Sequence, residues 1–142
     1  MTTAVLDANA FISATLVPVG IPAQIVEHAR ARHFTIVTSA HIITETTRAL
    51  TYPRIQRKYK VRQADIARLR RFLRRRTVIT PLGVPVQGVA THPEDDLVLA
   101  TAVSASADYL VTGDAQLQKL GAYEGVKIVS PREFLSLLEE EA

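Results

Sequence analysis

The chain has no cysteine among its 142 residues. Disulfide bonds, thiolate zinc sites and cysteine nucleophiles are therefore excluded. It also lacks any run of the roughly 18–20 apolar residues that a membrane-spanning helix needs. No basic segment leads into an apolar one at its start, as a secretory signal would have. Together these absences lead us to expect a cytoplasmic protein.

Hydrophobic residues make up 47% of the chain. This fraction is ordinary for a globular protein and too high for a disordered one. A chain of this length can also bury a substantial core. We expect a single domain that covers residues 1–142.

Positive charge is concentrated in one segment. The formal net charge is only +3, but residues 48–76 hold 12 of the 17 lysines and arginines and a single acid, Asp65, for a local charge of +11. The rest of the chain holds five basic and 13 acidic residues, or −8. Such an asymmetry predicts a polyanionic partner, and lysine and arginine bind phosphate backbones. The residues that we expect to bind nucleic acid are Arg48, Arg54, Arg57, Lys58, Arg71 and Arg75.

Strand-like and helix-like segments alternate along the chain. Short apolar runs predict strands at Thr3–Asp7, Phe34–Thr38, Thr77–Ile79, Tyr109–Thr112 and Val126–Val129. Helical spacing predicts helices at Ala8–Leu16, Ile21–Arg32, 39–51, Gln63–Arg75, Glu94–Ala107, Ala115–Gly121 and Pro131–Glu141. Residues 54–62 suit a loop or a frayed helix, and residues 80–93 a connector. The alternation predicts a three-layer α/β/α fold with a mainly parallel sheet of about five strands.

Four carboxylates occupy positions that such a fold would bring together. Asp7 and Asp114 each follow an apolar strand. Asp96 opens an apolar helix, and Glu45 lies inside another. Active sites in open α/β sheets form at the carboxyl ends of the strands, where clustered acids repel one another unless cations bind. Carboxylate clusters favour Mg²⁺ or Mn²⁺, so the pattern predicts metal-dependent chemistry on a phosphate ester.

Each acid also has a simpler explanation. Asp7 and Asp114 suit the N-cap of the helix that follows. Glu45 could be solvated, or could pair with His41 one turn earlier. Asp108 precedes its strand and so belongs to the opposite edge of the sheet, which leaves it out of the cluster.

The third acid comes from a triplet, Glu94-Asp95-Asp96. Interaction with the helix dipole accounts for one or two acids at a helix start, but not for all three. We favour Asp96 as the inward-facing ligand because apolar residues surround it, with Asp95 as the competitor. The apolar residues are Leu97, Leu99 and Ala100.

Three segments resemble motifs of the PIN-domain ribonucleases. Residues 5–14 (VLDANAFISA) resemble the opening motif of that family. Residues 92–100 (HPEDDLVLA) resemble its third-acid motif, and residues 107–114 (ADYLVTGD) its fourth-acid motif. The resemblance covers essentially the whole chain and extends in particular to the toxins of prokaryotic toxin–antitoxin systems related to VapC.

The resemblance implies a parallel sheet flanked by helices, an acidic pocket for one or two Mg²⁺ or Mn²⁺ ions, and endonucleolytic cleavage of RNA. It also implies a small antitoxin protein as partner and a homodimer. The metal-site acids carried over to this chain are Asp7, Glu45, Asp96 and Asp114, with Asp95 as the alternative to Asp96. Asn9 and Thr112 would be polar neighbours that orient carboxylates or water.

Three other functions fit part of the pattern. A PIN-like module without catalysis would bind nucleic acid and not cut it, and a structure-specific DNA nuclease would use the same acids. A phosphoacceptor or an aspartyl-phosphate phosphatase would need a second acid close to Asp7. Asn9 stands in that place. A phosphoacceptor would also need a lysine that ends a later strand, and Lys127 comes at the start of its strand instead of at its end.

Overall fold

The computed structural model describes residues 1–90 and 92–141. Its strands are β1 (Thr3–Leu6), β2 (Thr35–Thr38), β3 (Thr77–Ile79), β4 (Tyr109–Val111), β5 (Ala122–Tyr123) and β6 (Val126–Val129). Its helices are α1 (Ala8–Leu16), α2 (Ile21–Arg30), α3 (Ala40–Leu50), α4 (Pro53–Tyr59), α5 (Gln63–Arg75), α6 (Pro93–Ser104), α7 (Ala115–Leu120) and α8 (Pro131–Glu141). All five predicted strands are present.

The strands form one sheet in the order β3-β2-β1-β4-β6-β5. Every described pair in it is parallel except β5–β6. The prediction of a mainly parallel sheet between helices is thus confirmed, with a sixth strand that the sequence did not predict. β5 has two residues, which is too short for an alternating pattern to be visible.

The direction of strand addition reverses at β1. The chain moves outward from β1 through β2 to β3, returns through α6 to β4 on the other side of β1, and continues to β6. Right-handed crossovers in opposite directions place their helices on opposite faces of a sheet. Accordingly, α6 packs against β1, β2 and β4, whereas α1 packs against α2 and α3. The crevice between the carboxyl ends of β1 and β4 is therefore the expected ligand site.

The core lies between the sheet and these helices. The central strand β1 is fully buried at Ala4, Val5 and Leu6. The helix α8 packs against α2, and its Phe134 ring meets the Phe34 ring edge-on with centroids 5.0 Å apart. Such an aromatic pair adds a directional contact to the buried area, so the carboxyl-terminal helix belongs to the same core.

Helix ends depart from the predictions in three places. The segment after Tyr52 is a helix, α4, in which Pro53 occupies the first turn, a position that suits its fixed φ and missing N–H. α6 ends at Ser104 instead of Ala107, and α2 ends at Arg30 instead of Arg32. Within the described residues no single helix is long and apolar enough to cross a membrane. Of the described helices, only α1 and α2 taken together, as a pair bent by 99°, have the required length and composition.

Candidate active site

Asp7 and Asp114 lie at the reversal point of the sheet. The register aligns Leu6 of β1 with Val111 of β4, so the next residues, Asp7 and Thr112, are neighbours. Thr112 Oγ1 donates to Asp7 Oδ2 at 2.7 Å and accepts from the Asp114 amide at 3.1 Å. Because Thr112 is fully buried, this pair of hydrogen bonds links the two acid-bearing turns rigidly.

Both acids also cap helices. Asp7 Oδ1 accepts from the Ala10 amide at 3.0 Å at the start of α1. Asp114 Oδ1 accepts from the Gln116 amide at 2.7 Å and from the Leu117 amide at 3.3 Å at the start of α7. The simpler explanation from the sequence is thus correct for both residues, and it coexists with their position in the pocket. Capping fixes the direction of each carboxylate.

The third acid in this pocket is Asp95. Asp95 lines it together with Asp7 and Asp114, whereas Asp96 accepts hydrogen bonds from three backbone amides of residues 88–90. Asp96 is inward-facing, as its apolar neighbours predicted, but it faces the connector and not the pocket. The preference for Asp96 is therefore corrected to Asp95. The sequence marked the buried carboxylate without showing which groups surround it.

Burial and mutual repulsion act on these carboxylates. The pKa of Asp7 is raised mainly because burial penalises its charged form, and the charge of Asp114 adds to the effect, while the Thr112 hydrogen bond opposes it. The pKa of Asp95 is raised by burial first, then by the charges of Asp114 and Asp7, against an opposing effect of His92. The charge of Asp114 therefore acts on both Asp7 and Asp95.

Helix α3 supplies the opposite wall of the pocket. Glu45, Arg48 and Tyr52 lie along this wall, at spacings that place them on one helical face and its continuation. His41 Nε2 is 3.5 Å from Glu45 Oε2, which is long for a hydrogen bond, and the His41 nitrogen has no other partner among the described residues. Glu45 thus remains available to the pocket.

Further residues around the pocket were predicted in part. Asn9 lines it as expected, and its side chain is exposed. Glu94 and Tyr52 also line it and were not among the predicted residues. The sequence contains a signal for both. Glu94 is the first of three consecutive acids, and Tyr52 lies seven residues, or about two helical turns, after Glu45. The rest of the lining is Ala8, Ile12, Ala49 and Val98.

The predicted nucleic-acid-binding residues fall into two separate groups. Arg48 lines the acid pocket, and α4, which carries exposed Arg54, Arg57 and Lys58, begins directly after the pocket residue Tyr52. Within the described part of the chain none of these four forms an ion pair. Arg48 therefore belongs to the pocket itself, and the other three follow it along the chain in α4.

Arg71 and Arg75 form the second group. They lie in the carboxyl-terminal half of α5, which leads into the amino end of β3. Arg75 lines a depression with Met1 and Thr35, at the amino ends of β1 and β2. The acids lie at the carboxyl ends of these strands. Arg75 therefore lies at the opposite edge of the sheet from the acids, and the binding of nucleic acid by these six residues stays a prediction.

The donor set in the pocket suits a hard divalent cation, because it consists of carboxylates. No three acidic or histidine side chains of residues 1–90 and 92–141 are close enough to ligate one ion as they stand. Mg²⁺ usually keeps several waters and binds through one or two carboxylates. The open pocket therefore fits a hydrated Mg²⁺ or Mn²⁺ ion, and not a closed centre such as a structural zinc site.

Comparison with known proteins defines the family. The PIN domain matches residues 3–116, so the chain belongs to the PIN-domain family, whose members are generally nucleases. The fold is similar to VapBC2 from Rickettsia felis, in a crystal structure bound to a DNA fragment from their promoter, with a TM-score of 0.63, 17% identity, and coverage of 91% of this chain and 98% of that chain.

A second similar structure is FitAcB from Neisseria gonorrhoeae, with a TM-score of 0.54, 16% identity and the same coverage of 91% and 98%. At such identities the two likenesses show the fold alone. A comparison with curated proteins found no match. The family assignment therefore rests on the match of the PIN domain to residues 3–116.

Proposed function

We propose that this chain is a metal-dependent endoribonuclease and the toxin of a toxin–antitoxin pair. One observation carries the proposal: Asp7, Asp95 and Asp114, from three separate segments, line a single open pocket. Burial, and to a smaller extent the Asp114 charge, raises the pKa of Asp7 and of Asp95 there. Arg48 is the one lysine or arginine among the described lining residues. Perturbed acids in a cleft are typical of functional sites.

We assign Asp7, Glu45, Asp95 and Asp114 as the residues that hold one or two Mg²⁺ or Mn²⁺ ions. Divalent ions bound by carboxylates in this way supply an activated water and stabilise charge on a phosphate and its leaving oxygen. Asp96 is left out of this set, because amides occupy both of its oxygens. The ligand set thus differs at one position from the one that the sequence favoured.

The chain's own residues orient the acids and the substrate. Thr112 holds Asp7 Oδ2 in place, and Asn9 offers a polar group at the rim for water or a phosphate oxygen. Arg48 contacts the phosphate beside the acids, while Arg54, Arg57 and Lys58 continue the positive surface along α4. Such contacts position a backbone without selecting its sequence.

Likeness to known proteins supports the proposed RNA substrate and partners. The three motifs resemble those of PIN-domain ribonucleases, and the similarity of fold to VapBC2 supports the toxin class. A small antitoxin protein as partner, a homodimer as assembly and a cytoplasmic location belong to the same proposal. The net charge of +11 over residues 48–76 supports a polyanionic substrate.

A second candidate is a PIN-like module that binds nucleic acid without cutting it. The absence of a preformed three-ligand cluster among the described residues favours this candidate. The convergence of Asp7, Asp95 and Asp114 on one pocket argues against it, because a binding module gains nothing from a cluster of acids that repels a phosphate backbone. A structure-specific DNA nuclease is the third candidate, since the pocket chemistry is the same for both polymers.

The experiment that tests the proposal is cleavage of a panel of structured RNAs and single-stranded DNAs with Mg²⁺, Mn²⁺ or EDTA. Wild type is compared with Asp7→Asn, Asp95→Asn and the control Asp108→Asn. Asp108 lies at the opposite edge of the sheet, where Oδ2 accepts from the Thr3 amide at 2.9 Å, a bond that an asparagine oxygen can also accept.

We expect metal-dependent cutting of RNA by wild type and Asp108→Asn and none by the two pocket variants. Cutting of DNA alone would replace the ribonuclease with the DNA nuclease. Salt-sensitive binding without cutting would favour the binding module. Wild-type rates in Asp7→Asn would contradict the assignment of the pocket.

A further inference from the structure

Asp96 is 7% exposed and adjoins the pocket acid Asp95. Both of its carboxylate oxygens accept hydrogen bonds from the connector before α6 and not from the pocket. Asp96 Oδ2 accepts from the Gly88 amide at 3.0 Å. Asp96 Oδ1 accepts from the Val89 amide at 3.2 Å and from the Ala90 amide at 2.7 Å. Three successive backbone N–H groups therefore converge on one carboxylate. Hydrogen bonds to a charged acceptor are among the stronger ones in proteins.

The backbone at Gly88 makes this convergence possible. Gly88 has φ +71°, a left-handed conformation that suits glycine, and successive amides in such a turn form a concave site for an anion. Here the anion is the chain's own Asp96. No atom lies within 4 Å of a Cβ built at Gly88, so the requirement for glycine comes from the backbone conformation and not from crowding.

The connector is tied to α6 at two points. The Val84 amide donates to Ser104 Oγ at 3.0 Å at the carboxyl end of the helix, and residues 88–90 are tied to Asp96 at its amino end. Val86, between the two ties, is buried in the core. The connector therefore runs along α6, and the tie at Asp96 fixes the rotation of the first helical turn.

We propose that Asp96 is a positioning residue that directs Asp95 into the acid pocket. Successive residues of an α-helix point about 100° apart. When Asp96 is anchored on the connector side, Asp95 is directed toward Asp114 and Asp7. The catalytic consequence of this arrangement rests on the proposed function. The orientation of Asp95 does not depend on the proposed function, and it can be measured without metal or substrate.

The first test compares Asp96→Ala and Asp96→Asn with Ser104→Ala, which removes the other tie. Hydrogen exchange is followed at the amides of residues 84 and 88–90. We expect Asp96→Ala to speed exchange at residues 88–90 by about tenfold or more, as loss of charge-assisted bonds implies. Asp96→Asn keeps one acceptor oxygen and should lose less. Ser104→Ala should speed exchange at Val84 alone, and unchanged protection in Asp96→Ala would overturn the proposal.

The second test measures whether Asp95 faces Asp114. A double-mutant cycle with Asp95→Asn and Asp114→Asn is measured by urea unfolding at pH 7 in EDTA. Asparagine retains the capping function at residue 114. We expect the two substitutions to be coupled in the wild-type background, because the carboxylates repel each other. The coupling should fall by about half or more in the Asp96→Ala background, fall less in Asp96→Asn, and stay unchanged with Ser104→Ala.

Two results of this cycle would overturn the proposal. The first is no coupling in the wild-type background, since Asp95 would then not face Asp114. The second is undiminished coupling in the Asp96→Ala background. If the coupling falls as expected but wild type cuts no nucleic acid, the positioning role stands and the nuclease proposal fails. If the coupling is undiminished and wild type cuts nucleic acid, the nuclease stands and the positioning role fails.

Discussion

The hydroxyl of Thr112 lies 2.7 Å from Oδ2 of Asp7 and donates a hydrogen bond across the junction of β1 and β4. The same hydroxyl accepts from the Asp114 amide at 3.1 Å. The Thr112 carbonyl accepts from Gln118 Nε2 of α7 at 2.7 Å. One buried threonine therefore fixes the relative positions of two pocket acids and ties them to the helix that follows.

Replacing this hydroxyl should weaken both the fold and the reaction. Thr112→Val keeps the shape of the side chain and removes the donor to Asp7, so we expect a loss of about 1–2 kcal/mol in the free energy of unfolding. Cleavage should fall about 10–100-fold, as for other groups that orient metal-bound carboxylates. Urea unfolding and cleavage assays measure these effects. Thr112→Ser keeps the hydroxyl and should retain most of the activity. A loss in Thr112→Ser as large as that in Thr112→Val would contradict the assignment of the effect to the hydroxyl.

The metal-free pocket should destabilise the protein at neutral pH. The folded-state pKa values of Asp7 and Asp95 lie above the ordinary 3.8, so the folded protein holds these protons more tightly than the unfolded chain. Their contribution to stability is complete below pH 3.8 and is lost as the pH rises through the raised values. Asp7→Asn and Asp95→Asn should therefore unfold at higher urea than wild type at pH 7 in EDTA, and the difference should disappear at about pH 3.

An acid of opposite behaviour provides the control. The pKa of Asp65 is lowered, chiefly by hydrogen bonds from the Arg62 side chain at 3.2 and 3.4 Å and then by one from the Arg62 backbone amide at 2.9 Å. Its contribution is present above pH 3.8 and lost as the pH falls through the lowered value. Asp65→Asn should therefore be less stable than wild type at pH 7. Destabilisation by Asp7→Asn and Asp95→Asn under the same conditions would contradict the account of the pocket.

Divalent ions should stabilise the folded protein through the pocket. A ligand that binds only the folded state adds about 2.7 kcal/mol at 100 times its Kd, so Mn²⁺ should raise the melting temperature of wild type. Asp95→Asn should lose most of this rise, and Asp108→Asn should keep it. Differential scanning fluorimetry with and without Mn²⁺ measures the shift. An equal shift in all three proteins would place the ion outside the pocket.

The two basic surfaces should contribute differently to substrate binding. Each phosphate contact to a single strand contributes about 0.7 to the slope of log affinity against log salt. Arg48→Ala should weaken binding of single-stranded RNA by Asp95→Asn protein, which does not cut it, and lower that slope by about this amount. Arg75→Ala should change neither, because Arg75 lies at the amino ends of β1 and β2. A larger effect of Arg75→Ala would show that the substrate extends across the sheet edge.

The sequence predicted the parallel sheet well, because buried parallel strands are apolar throughout and alternate with amphipathic helices. It could not predict β5, whose two residues carry no period, or the helical state of α4, whose charged residues lack an apolar stripe. The sequence also did not show in which direction α5 runs relative to the acid pocket. Arg75 is the last residue of α5 and lies just before β3, and this places it at the amino edge of a parallel sheet, away from the acids.

The candidate site was predictable to the level of its segments. Asp7 and Asp114 follow adjacent strands, and that adjacency follows from the topology. The choice between Asp95 and Asp96 depends on where the amides of residues 88–90 lie, and the sequence marks that turn only by Gly88. Burial was the right expectation for Asp96, and the connector was the missing partner.

Anomalous diffraction from crystals grown with Mn²⁺ would show directly which carboxylates hold the metal. We expect one or two manganese peaks within bonding distance of carboxylate oxygens of Asp7, Asp95 and Asp114, with Asp96 still bound to the amides of residues 88–90. Peaks ligated by Asp96, or a pocket without manganese at saturating Mn²⁺, would contradict this assignment.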